Sequence, residues 1–280
     1  MKKSGNTILS YLYEEPSRAS RRINAIATAV FALLFALALF FIVRRFYVTG
    51  QLEARYWSFF AKKTTWRFLL EGLWGTVKSA VLSGAVAFAL GFLIMLMRLS
   101  RSKLLRALAV FFIEFTRGVP TLLFIYFFFL ALPSLGVKMS ALLKIVLPVA
   151  LSACGVVAEV LRSGVNAVPR GQREAALSLG MRERAVFLKI IFPQGFFYVL
   201  PSLIAEIVIV VKDTTFAYIV NYPDIMQNAK VLISNYDSML AVYLLVAAVY
   251  IALNGALNAL SSYIAQKSKM IKKGKKNGAN

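Results

Sequence analysis

The sequence is poor in the side chains that most enzymes and metal sites use. Its 280 residues include no histidine, one cysteine, and 12 Asp and Glu against 33 Lys and Arg. Without histidine the usual general base and the commonest metal ligand are missing, and the single Cys154 excludes an internal disulfide or a cysteine cluster. The sequence also has no glycine-rich loop ending in Gly-Lys-Ser/Thr, so the usual nucleotide cradle is absent. We therefore expect no catalytic residue, metal or cofactor in this chain.

What the chain has in excess is apolar residues and positive charge. Hydrophobic residues make up 59% of it and the mean hydropathy is +0.70, which leaves too little polar surface to cover a soluble globule of this length. A formal charge of +21 is also typical of proteins that bind nucleic acid. Here, however, the basic residues lie in loops that flank apolar runs, where they set orientation in a bilayer. The composition predicts an integral membrane protein with no nucleic-acid partner.

Six apolar runs approach or exceed the length of about 20 residues that a membrane-spanning helix needs. They are Ile23–Val43, Gly72–Met97, Ala107–Leu132, Ala141–Ala158, Gly195–Val211 and Ser238–Gln266. Because only a helix satisfies its own backbone hydrogen bonds across lipid, the predicted fold is all-α with about six spanning helices. Basic residues before the first run also fit a signal peptide, but that run is longer than a secretory core and no cleavage site follows it, which favours a retained anchor.

The distribution of basic residues predicts which loops are cytoplasmic. Most Lys and Arg fall in residues 1–22, 98–106, 162–189 and 267–276. Cytoplasmic loops are rich in these residues, so both chain ends and the long polar loop are predicted inside. Residues 44–71 disagree, because they carry several cations and are predicted outside. Their interleaved aromatic residues indicate either a segment in the headgroup region or an ordinary linker.

The long polar loop, residues 165–194, reads VNAVPRGQREAALSLGMRERAVFLKIIFPQ. It contains two short amphipathic stretches with Gly180 between them. Small alanines such as Ala175 and Ala176 permit close approach of another backbone, and glycine permits a sharp change of helix direction. A helix of this kind fits a groove in a soluble partner. Periodicity alone also allows an interfacial helix that binds nothing.

Ionisable residues inside the apolar runs are the next candidates for function, because a charge in a bilayer is costly unless it faces protein or water. Glu206 lies near the middle of its run. It either lines a polar path or pairs with a cation on a neighbouring helix. Glu114 and Arg117 are three residues apart, as are Glu159 and Arg162, and this spacing predicts two structural pairs.

The run that contains Glu206 also contains Pro201, which predicts a kink. Broken helices in transporters frequently carry transport sites, and Lys212, Asp213 and Thr214 follow at the end of this one. The alternative is an ordinary helix end with a charge pair and a threonine cap. A short external helix is predicted over residues 221–230.

Several motifs occur together in one order, and this order resembles the polar amino acid branch of ABC importer permeases, the histidine, glutamate, glutamine, arginine and opine group. The resemblance covers about Trp66 to Gln266. Its motifs are Glu71–Val77, Arg98–Ser100, Phe115–Pro120, Ala158–Val165, Val168–Gln172, the spacing Glu174-Ala175-Ala176…Gly180…Ile190…Pro193, and Lys212–Thr215. The sequence departs from the family's usual residues at Cys154–Val157 and at Ala205.

The resemblance implies a type I importer fold with a five-helix core and an extra N-terminal helix. Together with the apolar runs and the charge distribution, it divides the chain into a cytoplasmic tail (1–22), an anchor (23–43), a linker (44–71), a permease core (72–266, with the coupling loop at 165–194) and a basic cytoplasmic tail (267–280). The residues that the resemblance assigns to ATPase coupling are Gly171, Glu174, Ala175, Ala176, Gly180, Ile190 and Pro193. The candidates for the substrate pathway come from the intramembrane charges and the broken helix, and they are Glu206, Lys212, Asp213 and Thr214.

The same resemblance implies the partners. They are ATPase subunits that bind ATP and Mg, a second permease that is identical or related, an extracytoplasmic solute-binding protein and an amino acid substrate, all at the bacterial cytoplasmic membrane. Two rivals stay open at this point. An ion-coupled carrier predicts matched halves and several intramembrane acids, whereas the sequence shows no clear repeat and one central acid, Glu206. A membrane-anchored signalling subunit would use the 165–194 loop to bind a regulator.

Overall fold

The structure, a computed structural model, describes the backbone of residues 17–277, with side chains from 17 to 265 except that of residue 18. The predicted cytoplasmic tail therefore lies largely outside the described residues, and so do the side chains of the predicted basic tail. Described residues form helices and turns without a β-strand. The chain divides into two compact units, Met1–Trp57 and Ser58–Asn280.

The first unit is built on one long helix, α1 (Arg18–Val48). Ser17 caps its start by accepting a hydrogen bond from the Ser20 amide at 3.1 Å, and Thr49 ends it by donating to the Arg45 carbonyl. Its apolar side chains are exposed throughout. A helix that is apolar on every side is typical of a membrane span, since lipid then covers all of its faces.

The second unit begins with a 3₁₀ turn at Ser58–Ala61 and contains eight described helices. They are α2 (Lys63–Leu99), α3 (Lys103–Gly118), α4 (Thr121–Ser134), α5 (Ala141–Asn166), α6 (Arg170–Ser178), α7 (Glu183–Val220), α8 (Ile225–Tyr236) and α9 (Met239–Asn277). α4 includes a π turn at Phe127–Ala131, and α7 includes another at Phe187–Ile191 and ends as a 3₁₀ helix from Thr214.

Helix α5 forms the centre of this unit and packs against α2, α3, α4 and α7. Its buried face consists of small and β-branched residues, among them Val149, Ala150 and Cys154, whose side chains are fully buried. Close contact is possible because glycines face it: Gly91 of α2 lies against Cys154, and Gly164 lies against the backbone of Gly195 in α7. Small residues at helix contacts in membranes let the backbones approach and gain packing energy.

The run Ala107–Leu132, predicted to form one spanning helix, consists of two helices in the structure. Together, α3 and α4 are long and apolar enough to form one span, but the two helices meet at an angle of 95°. The break follows from Pro120, which has no amide hydrogen and disfavours helical backbone in the residue before it. Val119 accordingly has an extended conformation, with φ −93° and ψ 124°.

Helix count and helix bounds agree with the predicted all-α membrane fold in most other respects. Five described helices are long and apolar enough to span a membrane, and the bent α3–α4 pair makes a sixth. α1 and α2 extend into the predicted linker, which shrinks to residues 49–62. The helix through Pro201 stays α-helical from Phe192 to Asp213. The predicted short external helix begins later, after Asp224, and runs to Tyr236.

Candidate functional site

The polar loop forms a helix, a tight turn and a second helix start. α6 ends in a Schellman turn, in which the Gly180 amide donates to the Leu177 carbonyl and the Met181 amide donates to the Ala176 carbonyl. Gly180 has φ +76°, a conformation that other residues rarely adopt. The predicted change of direction at Gly180 is therefore present.

An ion pair closes this turn from the side. Arg173 of α6 donates through Nη2 and Nε to both carboxylate oxygens of Glu183, at distances from 2.7 to 3.2 Å. Both side chains are about half exposed, with 54% and 50% of their area accessible. Exposed pairs of this kind stabilise by less than about 1 kcal/mol, so the pair orients α6 more than it stabilises the fold.

The residues predicted for coupling divide between the two faces of this segment. Ala176 is buried, Ile190 packs beside it, and Pro193 lies in the first turn of the following α-helical stretch. Gly171, Glu174 and Ala175 are exposed. The inner residues thus hold the segment on the bundle, while two small residues and one carboxylate face outward. No ion pair to Glu174 is present among the described residues.

A wide basic cavity of about 1040 Å³ lies under the segment. Its polar wall includes Arg101, Arg170, Arg173, Glu183 and Arg184. It also includes the last turn of α2, so the 165–194 segment and the C-terminal end of α2 lie at the same end of the bundle.

The predicted pair of Glu159 with Arg162 is confirmed. Arg162 donates to the Glu159 carboxylate through Nη2 at 2.7 Å and through Nε at 3.0 Å. Arg98 of α2 approaches the same carboxylate, with 3.9 Å between Nε and Oε1. This cluster ties α5 to α2 near the polar loop and supports a structural role.

The other predicted pair is wrong, since Glu114 and Arg117 make no ion pair in the described part of the chain. The stem of Arg117 lies against Gly155 of α5. The guanidinium therefore reaches toward α5 and α7 and lines two cavities there, one of them with Glu159. The glycine at position 155 lets α3 pack closely on α5 here, because a Cβ would overlap the Thr116 hydroxyl.

Charged and hydroxyl side chains from four helices meet in a polar cavity of about 360 Å³. Its polar lining consists of Thr116, Arg117, Thr121, Ser152, Glu206 and Asp213. The Thr121 hydroxyl donates to Asp213 Oδ2 at 2.8 Å and lies 2.8 Å from the Ser152 hydroxyl. Glu206 is only 7% exposed. The cavity thus offers one positive and two acidic groups within a largely apolar bundle.

The candidates for a substrate pathway separate into two groups. Glu206 and Asp213 line the polar cavity. Lys212 is exposed and outside it, and Thr214 is fully buried with its hydroxyl donating to the Val211 carbonyl at 2.8 Å. No ion pair joins Lys212 to Asp213 among the described residues.

Sequence reasoning missed four polar members of the cavity, Thr116, Arg117, Thr121 and Ser152. A signal was present for two of them, because Arg117 and Thr121 flank the helix break at Pro120, and polar residues beside a break in a span are candidates for a pathway. Ser152 lies in an apolar run and gives no sequence signal.

An apolar cavity of about 380 Å³ lies beside the polar cavity, and α7 contributes to both. Helices α2, α7 and α9 form most of its wall, and Glu206 is its one acidic residue. Glu206 and Val210 line both cavities. The Glu206 carboxyl thus lies where a polar space and an apolar space meet.

These features define a class: a multi-span helical membrane protein with a charged internal cavity and an exposed polar segment at one end. The family described as "Binding-protein-dependent transport system inner membrane component" matches residues 87–270. The chain belongs to this family.

Individual relatives agree with this placement. The chain is 36% identical over 219 residues to the glutamate transport system permease protein GluD of Corynebacterium glutamicum, which covers 77% of this chain and 80% of the relative. It is 29% identical over 163 residues to the arginine transport system permease protein ArtQ of Bacillus subtilis, over 58% of this chain and 74% of that one.

Solved structures show the same fold. A structure titled "Crystal structure of an amino acid ABC transporter with histidines" matches with a TM-score of 0.68 and 27% identity, over 75% of this chain and 98% of that chain. A methionine ABC transporter, MetNI, in inward-facing conformations matches with a TM-score of 0.58 and 16% identity, over 72% and 99%. At that identity the second match shows the fold alone.

The chain is therefore the permease subunit of an ABC importer and a multi-pass protein of the cytoplasmic membrane. ATP hydrolysis belongs to a partner subunit, as in the related importers, and the family as a whole works with ATPase and binding-protein partners. An ion-gradient carrier is not favoured.

Proposed function

We propose that this permease conducts a polar amino acid through the cavity at Arg117, Glu206 and Asp213. One observation carries the proposal: the cavity brings one guanidinium and two carboxyl groups together with hydroxyls inside a membrane bundle. A zwitterionic amino acid has one carboxylate and one ammonium group, so it needs both kinds of partner. The relatives named for glutamate and arginine transport support the same substrate class.

The residues would divide the ligand between them. The Arg117 guanidinium pairs with the substrate carboxylate, since its planar donors match a carboxylate in two places. Glu206 and Asp213 accept hydrogen bonds from the ammonium group. Thr121 is already bound to Asp213 and Ser152, so it fixes the Asp213 carboxylate in place. Lys212 and Thr214 are left as residues that support the helix end.

The 165–194 segment is the proposed contact with the ATPase subunit. Exposed Gly171, Glu174 and Ala175 form an outward face whose small side chains admit a partner backbone. Ala176, Ile190 and Pro193 anchor this face to the bundle, and Gly180 sets its turn. A displacement of the segment would pass into the long helix α7, and so to Glu206.

The proposed cycle needs three partners besides the substrate. Two ATPase subunits bind ATP and Mg, close on each other and draw the 165–194 segments of two paired permeases together, which opens the cavity outward. An extracytoplasmic binding protein delivers the amino acid, and hydrolysis returns the cavity to the inward-facing state. The second permease is identical to this chain or related to it.

The test is uptake into proteoliposomes that contain the permease, its partner ATPase and a cognate binding protein. We expect saturable ATP-dependent uptake of one or a few polar amino acids, and competition by unlabelled amino acids but not by sugars. A complex that hydrolyses ATP in response to another solute class, and transports no amino acid, would contradict the proposed substrate.

A further inference from the structure

A fully buried carboxyl group lies outside the polar cavity, at the opposite end of α2 from the 165–194 segment. Asp224 is 0% exposed and precedes α8 as its N-cap. Its Oδ1 accepts a hydrogen bond from the Gln227 amide at 2.7 Å. Its Oδ2 is also buried and has no hydrogen-bond partner. A buried acceptor without a partner costs free energy, and a buried charge costs more.

The backbone around Asp224 is fixed tightly to α2. Gly72 and Gly75 present bare backbone to residues 223–225, where a Cβ would meet the Pro223 carbonyl or the Asp224 backbone. The Ile225 amide donates to the Thr76 hydroxyl at 3.1 Å, and the Asn228 side chain donates to the Phe68 carbonyl at 2.7 Å. The carboxyl therefore cannot turn outward unless this connection leaves α2.

One further polar atom in the same region lacks a partner. The Tyr250 hydroxyl of α9 is buried without a hydrogen bond. Its ring packs against the cluster that contains Ile225 and against the cluster that contains Tyr222, the residues on either side of Asp224. Tyr250 is also close enough to Asp224 to interact with its charge. The Tyr250 hydroxyl therefore lies near the Thr76 hydroxyl and within electrostatic reach of Asp224, whose Oδ2 has no hydrogen-bond partner.

No ion pair to Asp224 is present in the part of the chain that the structure describes. The α2 residues that touch this connection are Gly72, Gly75 and Thr76, which do not titrate. The titratable groups that act electrostatically with Asp224 are two tyrosines. They are Tyr222, whose hydroxyl donates to the Gly75 carbonyl, and Tyr250.

We propose that Asp224 and Tyr250 form a buried proton-binding site that fastens the α7–α8 connection to α2. With a proton on the carboxyl, the connection rests on α2 and the site is neutral. Loss of the proton leaves a buried negative charge whose Oδ2 has no donor in the closed state, so the connection loosens to admit water. The site therefore makes this end of the permease sensitive to pH.

The direction of the pH dependence follows from burial. Burial raises the pKa of Asp224 from its ordinary value of 3.8 to about 7. A carboxyl whose pKa is raised in the closed state stabilises that state fully below its ordinary pKa, and this contribution is lost as pH rises to the raised pKa. The equilibrium constant for opening should therefore rise up to about tenfold per pH unit below about pH 7 and level off above it.

Hydrogen exchange on the full-length permease in lipid nanodiscs tests the proposal. The measurement is the protection of amides in residues 221–236 between about pH 5 and pH 8, corrected for the intrinsic pH dependence of exchange. Wild-type protection should fall with rising pH and level off. In Asp224→Asn it should be independent of pH, because the amide keeps the cap but cannot ionise.

A matched control is available at the other end of the same helix. Asp237 is an exposed residue with φ +52°, which asparagine also tolerates. Asp237→Asn should keep the wild-type pH dependence. A flat wild-type profile, or the same profile in Asp224→Asn as in wild type, would overturn the proposal.

Two more measurements cover the case in which Asp224→Asn does not fold. Infrared spectra of the wild-type protein should show a buried protonated carboxyl that disappears between about pH 6 and pH 8, and the absence of such a band would overturn the site. Tyr250→Phe removes a hydroxyl that can turn to donate to the ionised carboxyl, and should move the transition to higher pH. An unchanged midpoint would remove Tyr250 from the site.

Discussion

At the residue scale, Glu206 is the side chain that most links the fold to transport. It is buried, it belongs to a membrane-spanning helix, and it lines a polar and an apolar cavity. A carboxyl in such a place costs folding free energy, so its presence is best explained by a ligand. Sequence reasoning found this residue from its position in an apolar run alone, although it left a structural pair as an equal alternative.

Substitution of Glu206 tests this role. Glu206→Gln keeps the size of the side chain but removes its charge, and the loss of a hydrogen bond to a charged ligand should lower uptake by about tenfold or more. The measurement is amino acid uptake by the reconstituted complex. Glu114→Gln is the control, because Glu114 is exposed and should show wild-type uptake with equal assembly. Unchanged uptake in Glu206→Gln would mean that Glu206 does not bind the substrate and has a structural role only.

Arg117 provides a second test in the same cavity. Arg117→Gln removes the positive group and should raise the KM for the amino acid by about tenfold or more, since the substrate carboxylate loses a charge-assisted partner. Lys138→Gln, at an exposed lysine between α4 and α5, controls for the general loss of positive charge. Equal KM values for wild type and Arg117→Gln would contradict the proposed binding mode.

At the scale of elements, the contact between α5 and α7 depends on two facing glycines. A Cβ on Gly164 would overlap the carbonyl group of Gly195. Gly164→Ala should therefore force the helices apart and destabilise the bundle by about 1–3 kcal/mol. Gly84→Ala is the matched control, since its Cβ would meet nothing within 4 Å. Thermal unfolding of both variants in detergent measures the difference, and equal stability would mean that α5 and α7 can separate without cost.

The helical segment at 165–194 carries the proposed coupling. Glu174→Lys reverses the one unpaired charge on its outward face, and substrate-stimulated ATP hydrolysis in the assembled complex should fall by about tenfold or more. Insertion into the membrane should be unchanged, because Glu174 is exposed. The comparison is Glu53→Lys, at an exposed carboxylate outside this segment. Normal stimulation in Glu174→Lys would remove the residue from the coupling contact.

At the scale of the whole molecule, the spans could be predicted from the sequence because length and apolarity decide them. The turn at Gly180 and the pair of Glu159 with Arg162 were also predictable, since both depend on neighbours within one segment. Pro120 alone was enough to predict a break, which the structure shows as a 95° bend. The bend was not predicted because the surrounding apolar run is long enough for one spanning helix.

The cavity could not be predicted in the same way. It depends on contacts between residues far apart in the chain, such as Thr121 with Asp213, which are 92 positions apart. Arg117 was assigned to Glu114 by spacing, whereas in the structure it lies against Gly155 on another helix and lines the cavity. Spacing gives neighbours along a helix, and only packing shows which of its faces meets another helix.

The central claim is that the 165–194 segment is cytoplasmic and binds the ATPase. The one native cysteine, Cys154, is buried, so Ser178→Cys places a single exposed thiol on α6. We predict that a membrane-impermeant maleimide modifies this thiol in inside-out vesicles and not in intact cells, and that bound ATPase subunits protect it. Modification from the cell exterior, or equal modification with and without the ATPase, would contradict the account.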